Sequence, residues 1–106
     1  MSWQERIIAA HTAVTDSVSH GQRLKSDRYF VWIEEGRDDL EANGRHAEKA
    51  QRGRTNLYTT RELDPWKDAF ECALDAQGIA WSLNSTQFEP DTGFWHYEWL
   101  WGVRYG

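Results

Sequence analysis

The run Phe94-Trp95-His96-Tyr97-Glu98-Trp99-Leu100-Trp101-Gly102-Val103-Arg104-Tyr105 constrains this chain more than any other stretch. Read with a period of two, one face carries Trp95, Tyr97, Trp99, Trp101, Val103 and Tyr105. The other carries Phe94, His96, Glu98, Leu100, Gly102 and Arg104. Successive side chains of a strand point to opposite faces, whereas a helix would scatter these aromatics around its circumference. The pattern predicts a long, half-buried strand. Upstream, Ile79, Trp81 and Leu83 alternate with polar residues until Phe88 breaks the parity, and Glu89-Pro90-Asp91-Thr92-Gly93 has the composition of a tight turn. A hairpin is expected, with a bulge near Ser85 to Gln87, because a one-residue offset swaps the buried face.

Burying one large aromatic side chain removes about 150–250 Å² from water. At roughly 25 cal/mol per Å² this is on the order of 4–6 kcal/mol per ring, as an upper bound. Seven residues of the 106 are Trp and 14% are aromatic, so the expected core is built from few, bulky pieces. The stripe therefore reads first as core, and only then as a binding surface.

The length fits one domain, residues 1–106, without a linker or an internal repeat. A net charge of −5 argues against sequence-independent nucleic-acid binding, which depends on neutralising phosphates. No apolar run approaches the ~20 residues needed to span a bilayer. A charged n-region followed by an apolar h-region is also missing, so no secretory signal is expected. Cys72 is the single cysteine, which excludes an intrachain disulfide and fits a reducing compartment, the cytoplasm by default.

Ser2-Trp3-Gln4-Glu5 matches a capping box. Behind it Trp3, Ile7, Ala10, Val14 and Val18 form one apolar stripe of a helix running to about Ser17, flanked by Ile8 and His11. Val18 to Asp27 reads as a loop. Arg28 to Glu35 contains Tyr29-Phe30-Val31-Trp32-Ile33, apolar on both faces, which predicts an interior strand covered on both sides and ended by Glu35-Gly36. Asp38 to Ala42 is a short acidic candidate strand, followed by a hairpin turn at Asn43-Gly44. Arg45 to Thr60 reads as a long strand, although His46 to Gln51 has helical propensity.

Asp64-Pro65 opens a second helix, with Asp64 as N-cap and Pro65 at the first helical position. Its stripe is Trp66, Ala69, Phe70, Ala73 and Leu74, and Gly78 ends it. Cys72 lies beside that stripe and is expected to be buried or half-buried. The reading is an α+β domain of order α-β-β-β-α-β-β, a mostly antiparallel sheet with two packed helices.

Motifs of catalysis are absent from the pattern. His96 and Glu98 share a strand face, but His11, His20 and His46 have no ligand spacing, so no metal and no cofactor is expected. Nothing in the sequence places Cys72 beside a histidine, and there is neither a phosphate-cradling glycine loop nor a nucleophile elbow. The charges are more informative. Glu34, Glu35, Asp38, Asp39 and Glu41 form an acidic block, and Arg45, Lys49, Arg52 and Arg54 form a basic one directly after it. A calcium site there lacks the required loop spacing. The two blocks read either as a solvated hairpin or as a charge-matched subunit interface of a ring.

Several strings together carry a resemblance: Arg28-Tyr29-Phe30-Val31-Trp32, Glu35-Gly36, Ala42-Asn43-Gly44-Arg45-His46-Ala47-Glu48, Asn56-Leu57-Tyr58-Thr59, Asp64-Pro65-Trp66 and Gly93-Phe94-Trp95-His96-Tyr97-Glu98-Trp99. Over nearly its whole length the chain resembles the tail terminator or tail completion (minor tail) proteins of tailed phages and prophages. The resemblance implies a non-enzymatic assembly protein that forms a hexameric ring at the head-proximal end of the tail tube. It implies tail-tube and head-connector proteins as partners. It also implies a place in the bacterial host cytoplasm during assembly and in the virion neck afterwards. Another neck or head–tail joining component, or a small protein-binding module, is the alternative. A small enzyme with the aromatic hairpin as its pocket is a third reading.

Overall fold

The computed structural model describes the backbone over residues 2–40 and 48–105, and the side chains over residues 2–37 and 49–105. The elements are α1 (Trp3–Thr12), β1 (Val18–His20), β2 (Arg28–Leu40), β3 (Glu48–Thr59), α2 (Trp66–Ala76), β4 (Ala80–Glu89) and β5 (Phe94–Tyr105). The order α-β-β-β-α-β-β is the one the sequence predicts, but two of the strands are not the expected segments. The five-stranded sheet runs β1-β2-β3-β5-β4, antiparallel throughout except for β1 and β2.

Val18 to His20, expected as loop, pairs with Phe30 to Trp32 as a parallel strand. Three residues are too few to display a periodicity. The expected end at Glu35-Gly36 is instead a bulge inside a single strand of 13 residues. Glu34 lies opposite Gly53 and Gly36 opposite Arg52, so Glu35 is the extra residue. The bulge absorbs the glycine without breaking the ladder, and Asp38 to Leu40 continue β2 rather than starting a strand of their own. The predicted turn at Asn43-Gly44, with Glu41, Ala42 and Arg45 to Ala47, lies outside the described residues.

α1 is started by the predicted capping box. Ser2 Oγ accepts from the Glu5 backbone N–H and Glu5 Oε1 accepts from the Ser2 N–H, each at 3.1 Å. The helix stops at Thr12 rather than near Ser17. Both Val14 and Thr15 N–H close on the His11 carbonyl, and Thr15 Oγ1 then takes the Ser17 N–H, bonds that compete with helical ones. α2 begins one residue later than expected, yet the capping chemistry is that of Asp64, whose Oδ1 accepts from the Trp66 N–H at 2.9 Å. It ends on Gly78 at φ +67°, with Ile79 N–H to Leu74 O and Gly78 N–H to Asp75 O both at 3.0 Å, the paired closure of a Schellman motif.

Both helices cover one face of the sheet. Phe30, Trp32, Leu57, Tyr97, Trp99, Trp101 and Val103 from the strands meet Ile7 and Ala10 of α1 and Phe70 and Leu74 of α2. The alternation of β5 is realised, with Tyr97, Trp99, Trp101 and Val103 buried and Leu100 and Arg104 exposed. Trp101 lies across Gly53 so closely that a Cβ there would stand 2.4 Å from its ring. That glycine is the space the indole fills.

One polar group interrupts this core. His11 is fully buried, with Nδ1 2.7 Å from the Ile7 carbonyl and Nε2 3.0 Å from Thr55 Oγ1. A carbonyl only accepts, so Nδ1 carries the proton and Nε2 accepts from the Thr55 hydroxyl. Thr55 Oγ1 in turn accepts from the Trp101 indole N–H. Burial pulls the His11 pKa from 6.5 to about 4, against the Ile7 bond, which works the other way.

Three further expectations are corrected, two for side chains and one for strand register. Cys72 and Ala69 of α2 are exposed, because the sheet meets only the Phe70–Leu74 side of the helix. The second face of β2 carries no layer of its own: Tyr29 and Val31 are buried there, but Ile33 is not. The hairpin bulge falls at Asn84, between Leu83 and Ser85, just ahead of the expected stretch.

Candidate assembly surface

Of the sequence-predicted residues, Glu35, Arg52 and Arg54 lie on the uncovered face of the sheet, with His96 and Glu98 beside them. At one end Tyr29, Tyr58 and His96 stand in register on β2, β3 and β5. They stack with ring centroids 5.2 Å apart (Tyr29–Tyr58) and 4.4 Å apart (Tyr58–His96). Arg23, from the loop between β1 and β2, lies 4.1 Å over the Tyr58 ring and donates from Nε to the Tyr29 hydroxyl at 3.2 Å. His96 Nε2 lies 2.7 Å from Asn56 Oδ1, an acceptor, so Nε2 carries its proton. Burial lowers the His96 pKa from its ordinary value, against the nearby Glu89 and Glu98 carboxylates, which raise it.

Further along the same face a charged network crosses the sheet. Arg54 forks onto Glu35, with Nε to Oε1 at 3.1 Å and Nη2 to Oε2 at 2.8 Å. Its Nη1 reaches Glu98 at 3.4 Å, and Glu98 Oε1 accepts from Asn84 Nδ2 at 2.8 Å. The Glu35 contact raises the Arg54 pKa against the cost of desolvation. On the opposite side of the sheet, where His20 stacks on Trp32, Glu34 pairs with His20 at 2.8 Å, and that hydrogen bond holds its carboxyl below the ordinary range.

Antiparallel pairing of β2 with β3 thus brings the acidic and basic blocks together within one chain. Glu35 meets Arg54 directly, and Asp38 and Asp39 lie opposite Ala50 and Lys49 in the backbone register. Arg52 stands opposite Gly36, while Glu41 and Arg45 lie outside the described residues. His96 and Glu98 share a face, as expected, but each turns to a different partner. Among the described residues no three His, Cys, Asp or Glu side chains gather where a metal could be held, and no helix is long and apolar enough to cross a membrane.

The sequence reading missed two features at the Arg28 end of the sheet. The first is a buried ion pair: Asp64 accepts from Arg28 Nε at 2.8 Å, from Thr59 Oγ1 at 2.7 Å and from the Trp66 N–H, while Arg28 lies 3.7 Å over the Trp66 ring. Burial pushes the Asp64 carboxyl up, but these donors together outweigh it and hold the pKa below its ordinary value. The second is a groove of about 520 Å³ on the helix-covered face, bounded by the β3–α2 turn and the β4–β5 hairpin. An Asp-Pro pair signals a helix start and contains no hint of either.

No protein-family description matches this chain, and no curated protein does. Among solved structures, a chain from the virion of a native gene transfer agent (GTA) particle is similar at 9% identity with a TM-score of 0.49, over 95% of this chain and 89% of that one.

Proposed function

We propose that this chain is a non-enzymatic morphogenesis protein of a tailed phage or prophage that caps the tail tube at the head–tail junction as a ring of identical subunits. The observation that carries the reading is the division of labour between the two faces of the sheet. Helices and nearly all the aromatic mass lie on one face, and on the other Glu35, Arg54 and Glu98 are tied together across β2, β3 and β5, with Asn84 of β4 added by a hydrogen bond. Such a face offers register and charge to another protein rather than a reactive centre. The resemblance of the sequence to tail terminators supplies the partners: copies of itself, the tail-tube protein and a head-connector protein. The arm formed by the far ends of β2 and β3, with Asp38, Asp39, Lys49 and Arg52, is the proposed contact with a neighbouring subunit.

The test is to mix the protein with its own tail-tube protein and image the tubes. Capped tubes of uniform length are expected, and wild-type protein that never binds tube ends refutes the assignment. Lys49→Glu with Arg52→Glu is expected to abolish capping at little cost in thermal stability, since exposed ion pairs contribute about 0–1 kcal/mol each. Arg54 is the wrong residue to reverse, because a glutamate there would face Glu35 and Glu98.

A further inference from the structure

The groove at the Arg28 end of the sheet is built around a displayed leucine. Leu63 is 84% exposed and sits at φ +53°, a left-handed conformation that a leucine adopts only when its surroundings impose it. The buried Arg28–Asp64 pair in the very next residue provides that constraint. Trp95 and Tyr97 line the groove opposite, and Pro65 closes one side. Phe88, 48% exposed, extends the apolar surface through its contact with Trp95 at 4.8 Å between ring centroids. The rim is acidic. Glu62 and Asp68 are exposed there, and the single lysine, Lys67, is spent on Asp68 and Glu71 at 3.5 and 3.4 Å. What fits is an apolar side chain flanked by cations.

The chain itself carries such a segment. The loop between β1 and β2 reads Arg23-Leu24-Lys25, with all three residues exposed and Leu24 at 38%. Arg23 is fixed over Tyr58 and on the Tyr29 hydroxyl, so the loop is held in place before any partner arrives. Loop and groove occupy the same end of the sheet but opposite faces: Tyr58 faces the loop, whereas Tyr97 faces the groove. The loop therefore does not reach the groove of its own copy. We infer that Leu24, flanked by Arg23 and Lys25, docks into the Leu63–Trp95–Tyr97 groove of the next copy in a head-to-tail contact. This rests on the ring reading above and gives that ring its apolar anchor, which exposed charge pairs on the arm do not supply. Because donor and acceptor surfaces differ, each copy gives one loop and receives one, and the series closes if its rotation does.

The test uses two exposed residues outside the core. Lys25→Glu alone and Glu62→Lys alone each set like charges against each other and are expected to lower the fraction of capped tube ends by roughly tenfold. A mixture of the two variants restores capping, because alternating copies then present opposite charges at every contact. Oxidation of Leu24→Cys/Leu63→Cys protein, in a Cys72→Ser background and bound to tubes, is expected to give a ladder of disulfide-linked oligomers. Wild-type capping with unaffected single variants and no ladder overturns the docking contact and leaves the ring reading standing. A mixture that fails to recover what each variant loses also overturns it. If the wild type does not cap tubes and the double-cysteine protein forms no ladder, both readings fall.

Discussion

The indole N–H of Trp101 donates to the Thr55 hydroxyl at 2.9 Å, and this one bond fixes the direction of those that follow it. With that donor placed, the Thr55 hydroxyl proton points to His11 Nε2, and His11 Nδ1–H to the Ile7 carbonyl. α1 is joined to the middle of the sheet by a chain of hydrogen bonds that holds only while His11 is neutral. A protonated Nε2 would face Thr55 as a second donor and leave the hydroxyl proton without its acceptor.

Stability is therefore expected to depend on pH. The unfolded chain takes up a proton at His11 near pH 6.5 and the folded chain only at about 4, so the unfolded state binds more protons in between. The contribution is complete above about pH 6.5, declines as the pH falls to about 4, and levels off below, a total on the order of 3 kcal/mol. Urea denaturation of wild type and His11→Gln between these limits measures it. The variant should be weaker at neutral pH but flatter across the window. Parallel curves would show that His11 is not the group responsible.

Trp99 is fully buried, and its N–H donates to Glu71 Oε2 at 2.9 Å. Trp99→Ala should cost about 3–5 kcal/mol in chemical denaturation, the usual range for an aromatic core truncation. A loss below about 1 kcal/mol would mean that the stripe is not the core.

Gly53→Ala tests the opposite error, too much volume. The new methyl would collide with the Trp101 ring and with the Ile33 carbonyl, 2.6 Å away. A destabilisation of about 1–3 kcal/mol is expected, together with a changed near-ultraviolet circular dichroism signal from the displaced indole. An unaltered spectrum and stability would place the ring elsewhere.

Asp64→Asn removes the charge from a buried pair and should cost about 3 kcal/mol, because the Arg28 guanidinium is left without its counter-ion. The carboxyl has a lowered folded pKa, so its stabilisation is full above the unfolded value of 3.8 and is lost as pH falls through the folded one. At pH 7, thermal denaturation of Asp64→Asn beside wild type checks the magnitude. Equal melting temperatures would exclude the pair as a structural element.

Much of this was legible in the residues, for reasons of scale. β5 has six alternations, enough for period two to stand out, and both helices announce themselves by caps and stripes. Val18 to His20 is too short for a pattern, and Glu35-Gly36 reads alike as a strand end or a bulge until the partner strand is known. His11 looks like a flanking polar residue because its acceptor, Thr55, is 44 positions away. Cys72 lies beside a stripe whose outer edge the sheet does not reach. The groove was the least visible feature. It depends on a leucine in a conformation normally signalled by glycine, and on two elements far apart in sequence.

β4 forms one border of the sheet, and its residues Ala80-Trp81-Ser82-Leu83-Asn84-Ser85-Thr86-Gln87-Phe88 carry no charge and no proline. A border of that composition is a template for uncontrolled strand addition. The bulge at Asn84 cuts the template in two, with Ala80 to Leu83 on one side and Ser85 to Glu89 on the other, in shifted registers. A stray strand that matches one half is out of step with the other, so it cannot zip along the full length. One inserted residue, held by Glu98, does for this border what lysines do elsewhere, and removing it should turn the chain into a seed for fibres.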